Sequence, residues 1–330
     1  MKKVLVLLGK LSITLGILYY LFSKIGWSKI VRVMLSADIR YLLIALSLAM
    51  LVRYLNAVQT QVLLAHQGIL LPTAQVFKIN LISTFYTLFI PGDMGGGVVK
   101  WYKFSRVDGK RAQAFSVILV AWLLPVFAII MDGLIALAIK NPFSKTNLNM
   151  WIYSLLSLLL LVAIFIFNKS ASALVDKYIM SPLFAIAPSR IEEKLRKVWE
   201  SLKSFQKLPL FKVLSILVTI VIIELTGITA HYILGLSIKL RLSIFVFAWV
   251  RAVSILIQML PISIAGLGLR EGAVIFLLDK YNVPYADALV FSLLVFGVYV
   301  VISLIGGLFE IREMLTNKLS YCQKNKYEAK

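Results

Sequence analysis

Pro91-Gly-Asp-Met-Gly-Gly-Gly-Val-Val-Lys100 and Pro261-Ile-Ser-Ile-Ala-Gly-Leu-Gly-Leu-Arg270 follow one pattern: a proline, a glycine five positions on (Gly96, Gly266) and a cation nine positions on (Lys100, Arg270). Each stretch follows a short apolar segment, 76–90 and 243–260. Further upstream an ionisable residue interrupts an apolar run, Arg53 lying 38 residues before its proline and Glu224 lying 37 before its own. Three coincidences in the same order predict an internal duplication. Proline removes an amide donor and stops a helix. The run Gly95-Gly96-Gly97 lets the backbone approach a neighbour or ligand closely. A new helix then begins with amides that have no partner in the helix, a setting that suits an anion.

The surroundings of the two stretches define the solvent. Hydrophobic residues make up 60% of the 330 positions and charged residues 15%, against about half and a quarter in soluble domains. Apolar blocks at 4–22, 41–65, 76–90, 112–139, 151–167, 211–234, 243–260, 273–278 and 285–309 read as helices, and several reach the length of about 20 residues that spans a hydrocarbon core. Open sheets cannot sit in lipid, and no strand alternation is visible. The fold class is therefore an all-α polytopic membrane protein. The expected form is two inverted repeats, with about six full transmembrane helices and two broken, re-entrant helical hairpins at 76–106 and 243–280.

The organisation follows from these blocks. Residues 1–40 form a first transmembrane helix and an amphipathic connection, and 41–140 the first repeat. Residues 141–210 form a linking helix and an amphipathic helix, 211–310 the second repeat, and 311–330 a basic tail. In the linker, Ser189 and Glu192 make a capping-box pattern, and Ile191, Leu195, Val198, Leu202 and Phe205 recur at helical spacing. The helix they predict lies in the interface or packs beneath the bundle.

Charge orients the chain. The net charge is +20, from 35 basic and 15 acidic residues. Segments 100–111, 169–212 and the tail after Phe309 are the most basic and are placed in the cytoplasm, with both termini. Lys24, Lys29, Arg32 and Arg40 run against this scheme, since it puts their loop outside. The positive balance fits anionic lipid surfaces. Nucleic-acid binding would need a basic domain outside the membrane, and no segment is long enough. A single cysteine, Cys322, excludes a disulfide framework, and two histidines, His66 and His231, are too scattered for a metal centre. No cofactor is expected. No Ser-His-Asp order, HExxH or P-loop appears, so no catalytic residues are assigned.

Arg53, Glu224 and Arg251 lie deep in their blocks, where a charge costs a few kcal/mol unless it meets a partner or a water-filled cavity. Two roles stay open for them: a headgroup pathway, or an ion pair of Glu224 with Arg53 or Arg251. Lys100 and Arg270 sit just past helix breaks, where a cation and exposed amides can hold a phosphate together. Glu271 either orients Arg270 or complements the helix dipole. Asp93 reads as a turn residue. Asp132 reads either as a proton carrier or as a packing residue beside Gly133. Trp122 and Gln258 read as packing residues. The substrate-binding set is Arg53, Gly95, Gly96, Lys100, Glu224, Arg251, Gly266, Arg270 and Glu271.

The strings Phe89-Ile-Pro-Gly-Asp-Met-Gly-Gly-Gly-Val-Val-Lys100 and Leu260-Pro-Ile-Ser-Ile-Ala-Gly-Leu-Gly-Leu-Arg-Glu-Gly272 resemble the two signature segments of the lysylphosphatidylglycerol synthase transmembrane family. This flippase-like family also forms the membrane half of bacterial multiple peptide resistance factors. The resemblance covers nearly the whole chain. It implies a prokaryotic plasma-membrane protein with lipid translocation as its activity. The chain departs from the family pattern at Gly97, where an acidic residue is usual, at Lys100, where arginine is usual, and near Ala121-Trp122, where an Asp-Arg pair is usual. The sequence ends at Lys330 without a soluble acyltransferase-like domain, so aminoacyl transfer is not expected.

The reading that results is a flippase-like lipid translocase for an anionic, aminoacylated or polyprenyl-linked lipid. Its partners are a phospholipid or polyprenyl-linked headgroup and the anionic membrane surface, with a homo-oligomer left open. The alternatives are a membrane-embedded transferase acting on lipid-linked substrates, disfavoured by short outer loops, and a non-transporting envelope assembly factor.

Overall fold

The computed structural model describes residues 16, 19–89, 94–139, 173–182, 189–259 and 266–328. It is helical, with no strand among the described residues. In chain order the helices are α1 (Trp27–Leu35), α2 (Ile39–His66), α3 (Thr73–Phe89), α4 (Met94–Asp108), α5 (Arg111–Ile139), α6 (Ser189–Ser204), α7 (Leu210–Ser237), α8 (Ile244–Met259), α9 (Leu269–Asp279) and α10 (Tyr285–Glu328). Four of them, α2, α5, α7 and α10, are long and apolar enough to cross a membrane. The other two expected spans, 4–22 and 151–167, fall largely or wholly outside the described residues, as do Pro91, Asp93 and Pro261.

Element lengths repeat. α2 to α5 run to 28, 17, 15 and 29 residues, and α7 to α10 to 28, 16, 11 and 44. A 28-residue helix is about 42 Å long at 1.5 Å per residue, enough to cross a core of about 30 Å; the 11 residues of α9 are not. α3 and α4 fold back on each other, since Ser83 Oγ donates to Gly96 O (2.9 Å) while Lys78 and Lys103 both reach Glu313. α8 and α9 do the same, with Trp249 Nε1 donating to Tyr281 Oη (3.0 Å) and Gln258 lying against Gly266.

The two sets interlock. α2 packs along α7, the hairpin α3–α4 packs on α10, and the hairpin α8–α9 packs on α5. Each hairpin thus rests on the last long helix of the other set as well as on its own. Small residues permit the approach at nearly equivalent places. A Cβ on Gly306 of α10 would run into the Leu81 carbonyl of α3, and one on Gly133 of α5 would stand 2.7 Å from the Ala252 Cβ of α8. Leu81 and Ala252 are each the ninth residue of their helix. Lipid tails supply no hydrophobic drive between helices, so contacts of this closeness carry the packing.

Burial is inverted relative to a soluble bundle. On α7, Leu214, Leu217, Val218, Val221, Ile222 and Leu225 are exposed, while Glu224 is buried at 3% exposure beside Ile220, Ile223 and Gly227. Such a continuous apolar exterior suits hydrocarbon, not water. At one end of the bundle Asp38 caps α2 by accepting from Arg40 N (2.9 Å), and its own amide donates to Ser237 O (2.9 Å), tying the start of α2 to the end of α7.

The amphipathic helix of the linker is α6. It docks on the bundle through Ser201 Oγ to Ser116 Oγ (2.6 Å), Gln67 Nε2 to Ser201 O (2.9 Å) and His66 Nε2 to Ser204 O (2.9 Å), with Phe205 fully buried. The basic segment at the end is helical where it is described: α10 continues without a break to Glu328. Nothing between Phe309 and Glu328 is proline or glycine, so nothing in the sequence stops the helix.

Candidate functional site

Between the two sets of helices lies a cavity of about 410 Å³. Arg53, Gly96, Lys100, Glu224, Arg251 and Arg270 all line it. Residues far apart in sequence and singled out for one role therefore meet at one place. Gly266 and Glu271 do not line it: Gly266 backs on Gln258, which does, and Glu271 sits behind Arg270. Gly95 lies in the first turn of α4, next to Gly96.

Arg53 and Glu224 occupy matching positions, each the fifteenth residue of its 28-residue helix. The structure separates their roles. Arg251 Nη1 donates to Glu224 Oε2 (2.6 Å), with both side chains almost fully buried, and the guanidinium lies flat on Gly227, where a Cβ would stand 2.7 Å from Nη2. Glu224 therefore pairs with Arg251. Arg53 faces the ring of Tyr299, 6.0 Å from its centroid, and forms no ion pair among the described residues. A cation over an aromatic face keeps its charge available while losing part of its water.

Arg270 is more tightly held. It is 2% exposed, ion-paired to Glu271, and its Nε donates to Ser292 Oγ (3.2 Å), while its guanidinium lies 5.1 Å from the ring centre of Phe296. Glu271 is fully buried and also accepts from Gly268 N at the start of α9 (2.6 Å). One carboxylate thus fixes a helix N-terminus and neutralises a buried cation, which a charge in low dielectric requires. Both roles considered for Glu271 are realised together.

Lys100 has no such neighbour in sequence: the residue after it is Trp101, whose Nε1 donates to Arg111 O (2.9 Å). Lys100 is half-buried on the cavity wall. Asp132 of α5 lies against Glu224 and within the field of Arg251, and its Oδ2 is buried without a partner among the described residues. Trp122 and Gln258, read as packing residues, also face the cavity.

The sequence reading missed a polar wall. Asn56 and Thr60 of α2 and Asn80, Ser83, Thr84 and Thr87 of α3 all line the cavity. Their spacing was a usable signal, since positions four apart on α2 and three, four and seven apart on α3 form single helical faces. At the end of the hairpin, Lys103 Nζ binds Glu310 (2.7 Å) and Glu313 (3.0 Å), Lys78 binds Glu313 (2.9 Å), and Tyr86 Oη donates to Glu310 (3.1 Å). This cluster clamps α3–α4 to α10.

The chain matches the family model for the lysylphosphatidylglycerol synthase transmembrane region over residues 7–307. It belongs to that family. Lysylphosphatidylglycerol synthase transmembrane regions are integral membrane structures with a lipid-related function, in keeping with four spanning helices around a charged interior. No match was found among curated proteins.

Proposed function

We propose that this member of the lysylphosphatidylglycerol synthase transmembrane family is a flippase-like lipid translocase of a prokaryotic plasma membrane, with both termini in the cytoplasm. The observation that carries the reading is the cavity itself: four basic residues and one acidic residue converge on it from five different helices inside an apolar bundle. Burying that many charges around an empty interior is costly unless the interior holds water or an anion. A lipid headgroup meets the need, its phosphate near Arg53 and Lys100 and its tails in the bilayer.

The two helix hairpins are re-entrant in this reading, and the two sets of helices are inverted repeats that rock to alternate access, as in other transporters with broken helices in corresponding positions. The interlocked packing of each hairpin on the other set's long helix supports it, since relative movement of the sets would open the cavity to one side and close it to the other. Single cysteines at Lys110 and Lys280, in a chain with Cys322 replaced, test the topology: labelling from opposite faces is expected, and labelling from one face removes the inversion. Proteoliposomes with a fluorescent anionic phospholipid test the activity. Protein-dependent loss of protection from an added reductant is expected, and a rate equal to that of protein-free vesicles would reject translocation.

A further inference from the structure

The two seams between the sets of helices pack alike but differ in charge. Where α8 packs on α5, Gly133 faces Ala252, and the residues just before them are Asp132 and Arg251. Where α3 packs on α10, Gly306 faces Leu81, and the residues just before them are Ile305 and Asn80. The second seam closes tightly without an acid, so close packing does not call for Asp132. Glu224 of α7 completes the first seam. Arg251 Nη1 donates to Glu224 Oε2 (2.6 Å), and the Asp132 carboxyl meets the Glu224 carboxyl within hydrogen-bonding reach. Asp132 Oδ2 is enclosed and meets no donor among the described residues.

Two carboxyls and one guanidinium do not balance. If both acids were ionised, two negative charges would share one positive charge in a place where Glu224 and Arg251 are almost fully buried. Two carboxylates in contact repel, and neither has a proton to donate to the other. One proton answers both problems. It makes the contact an O–H···O hydrogen bond and leaves Glu224 and Arg251 as a neutral pair. The charged side chains that act on Asp132 are Glu224 and Arg251. Other groups on neighbouring helices are engaged elsewhere. Arg53 of α2 faces Tyr299, Arg270 of α9 is held by Glu271, and His231 of α7 turns its Nδ1 to Gly227 O (2.9 Å). On α4, Lys103 is bound to Glu310 and Glu313, and Lys100 lies on the cavity wall. α6 reaches α5 at Ser116, about 24 Å along the helix from Asp132 at 1.5 Å per residue.

We propose that Asp132 and Glu224 form a proton-binding carboxyl pair, which holds one proton while the two sets of helices are packed as here and releases it to cavity water when they part. Asp132 belongs to the first set, and Glu224 and Arg251 belong to the second, so relative movement of the sets changes the carboxyl contact. Glu224 lines the cavity, which gives the proton a route to water. Once the proton has left, Glu224 keeps Arg251, and Asp132 is the ionised group that needs hydration. Loss of the proton therefore favours the parted arrangement, and its return favours the packed one. Joined to the translocase reading, on which this last step rests, the pair couples lipid movement to a proton gradient.

The site is tested without transport. Infrared difference spectra of the purified full chain in detergent near neutral pH, native minus Asp132→Asn, are expected to show the loss of one protonated-carboxyl band. Loss of an ionised-carboxylate band in its place overturns the site. Asp132→Ser gives a second variant for the same comparison should the first fail to fold. Asparagine keeps the shape of the acid and supplies an N–H where the acid had its O–H, so the unfolding temperature near neutrality is expected to stay unchanged. The folded chain holds a proton that the unfolded chain gives up, so native stability is expected to fall as pH rises from about 5 to about 9, and Asp132→Asn is expected to lack that fall. The same fall in the variant overturns the site. In proteoliposomes with a fluorescent anionic phospholipid, an imposed pH gradient is expected to speed movement by the native chain at least about fivefold, the low end of coupling between linked sites, and to leave Asp132→Asn unaffected. An equal response from both overturns the coupling. No lipid movement by either, with the protonated-carboxyl band present, overturns the translocase reading and upholds the proton site.

Discussion

The two halves of this molecule share a plan and differ in how they treat charge. In the second half each deep cation has a carboxylate: Arg251 has Glu224 and Arg270 has Glu271. In the first half, the place that corresponds to Glu224 holds Arg53, which faces only an aromatic ring among the described residues. The place of Arg251, the eighth residue of α8, is taken in α3 by Asn80, also the eighth, with an unpartnered oxygen. Where Glu271 follows Arg270, Trp101 follows Lys100. The second half pairs its two deep arginines within itself, while its Glu310 and Glu313 hold Lys78 and Lys103 of the first half. In the first half, Arg53 and Asn80 line the cavity, and neither forms an ion pair among the described residues.

Breaking the second half is the most damaging change. Glu224→Gln or Glu271→Gln leaves an almost fully buried arginine without its carboxylate, and each is expected to lower unfolding free energy by about 3–5 kcal/mol. Replacing Glu224 and Arg251 together by Met is expected to recover most of that loss, because the desolvation cost disappears with the pair. Thermal unfolding in detergent compares the single and double variants.

The seam between the halves comes next. Gly306→Leu cannot be built without moving the α3 backbone at Leu81 and is expected to cost about 1–3 kcal/mol. Gly297→Ala, on the same helix with nothing within 4 Å of its would-be Cβ, is expected to be neutral or slightly stabilising. Equal effects from the two would show that α3 and α10 are not in this contact.

The smallest effect lies outside the spans. Burial pushes the Asp176 carboxyl up, but the Trp199 indole and the Lys203 ammonium (3.0 Å) outweigh it and hold the group below its ordinary 3.8. A depressed carboxylate contributes stability that is present above its unfolded value and lost as pH falls through the folded one. The stability of the α6 region is therefore expected to drop below about pH 4 by less than about 1 kcal/mol, the worth of a half-exposed pair. Asp176→Asn is expected to flatten the profile; an unchanged profile would assign the transition to another group.

Much of this was legible in the chain. Apolar block length gave the four spanning helices, since hydrocarbon thickness sets one length scale, and the α3, α7 and α8 boundaries fall within a few residues of the expected ones. The fixed offsets of proline, glycine and cation pointed to the two short helix pairs, α3–α4 and α8–α9. Six of the chosen side chains or glycines converge on the cavity, because polar residues in an apolar helix have nowhere else to go. Two things were hidden. Which carboxylate pairs with which arginine depends on helix rotation, so Glu224 could have met Arg53 as well as Arg251. The polar wall of α2 and α3 was passed over because Asn, Ser and Thr are tolerated in spanning helices for their backbone hydrogen bonds.

The central claim is that Arg53 serves the ligand while Arg251 and Arg270 serve the fold. Arg53→Gln in proteoliposomes, assayed for movement of a fluorescent anionic phospholipid beside its own unfolding temperature, tests it most directly. The account predicts at least a tenfold fall in translocation rate with little change in unfolding temperature. Full activity in a variant of unchanged stability would contradict it.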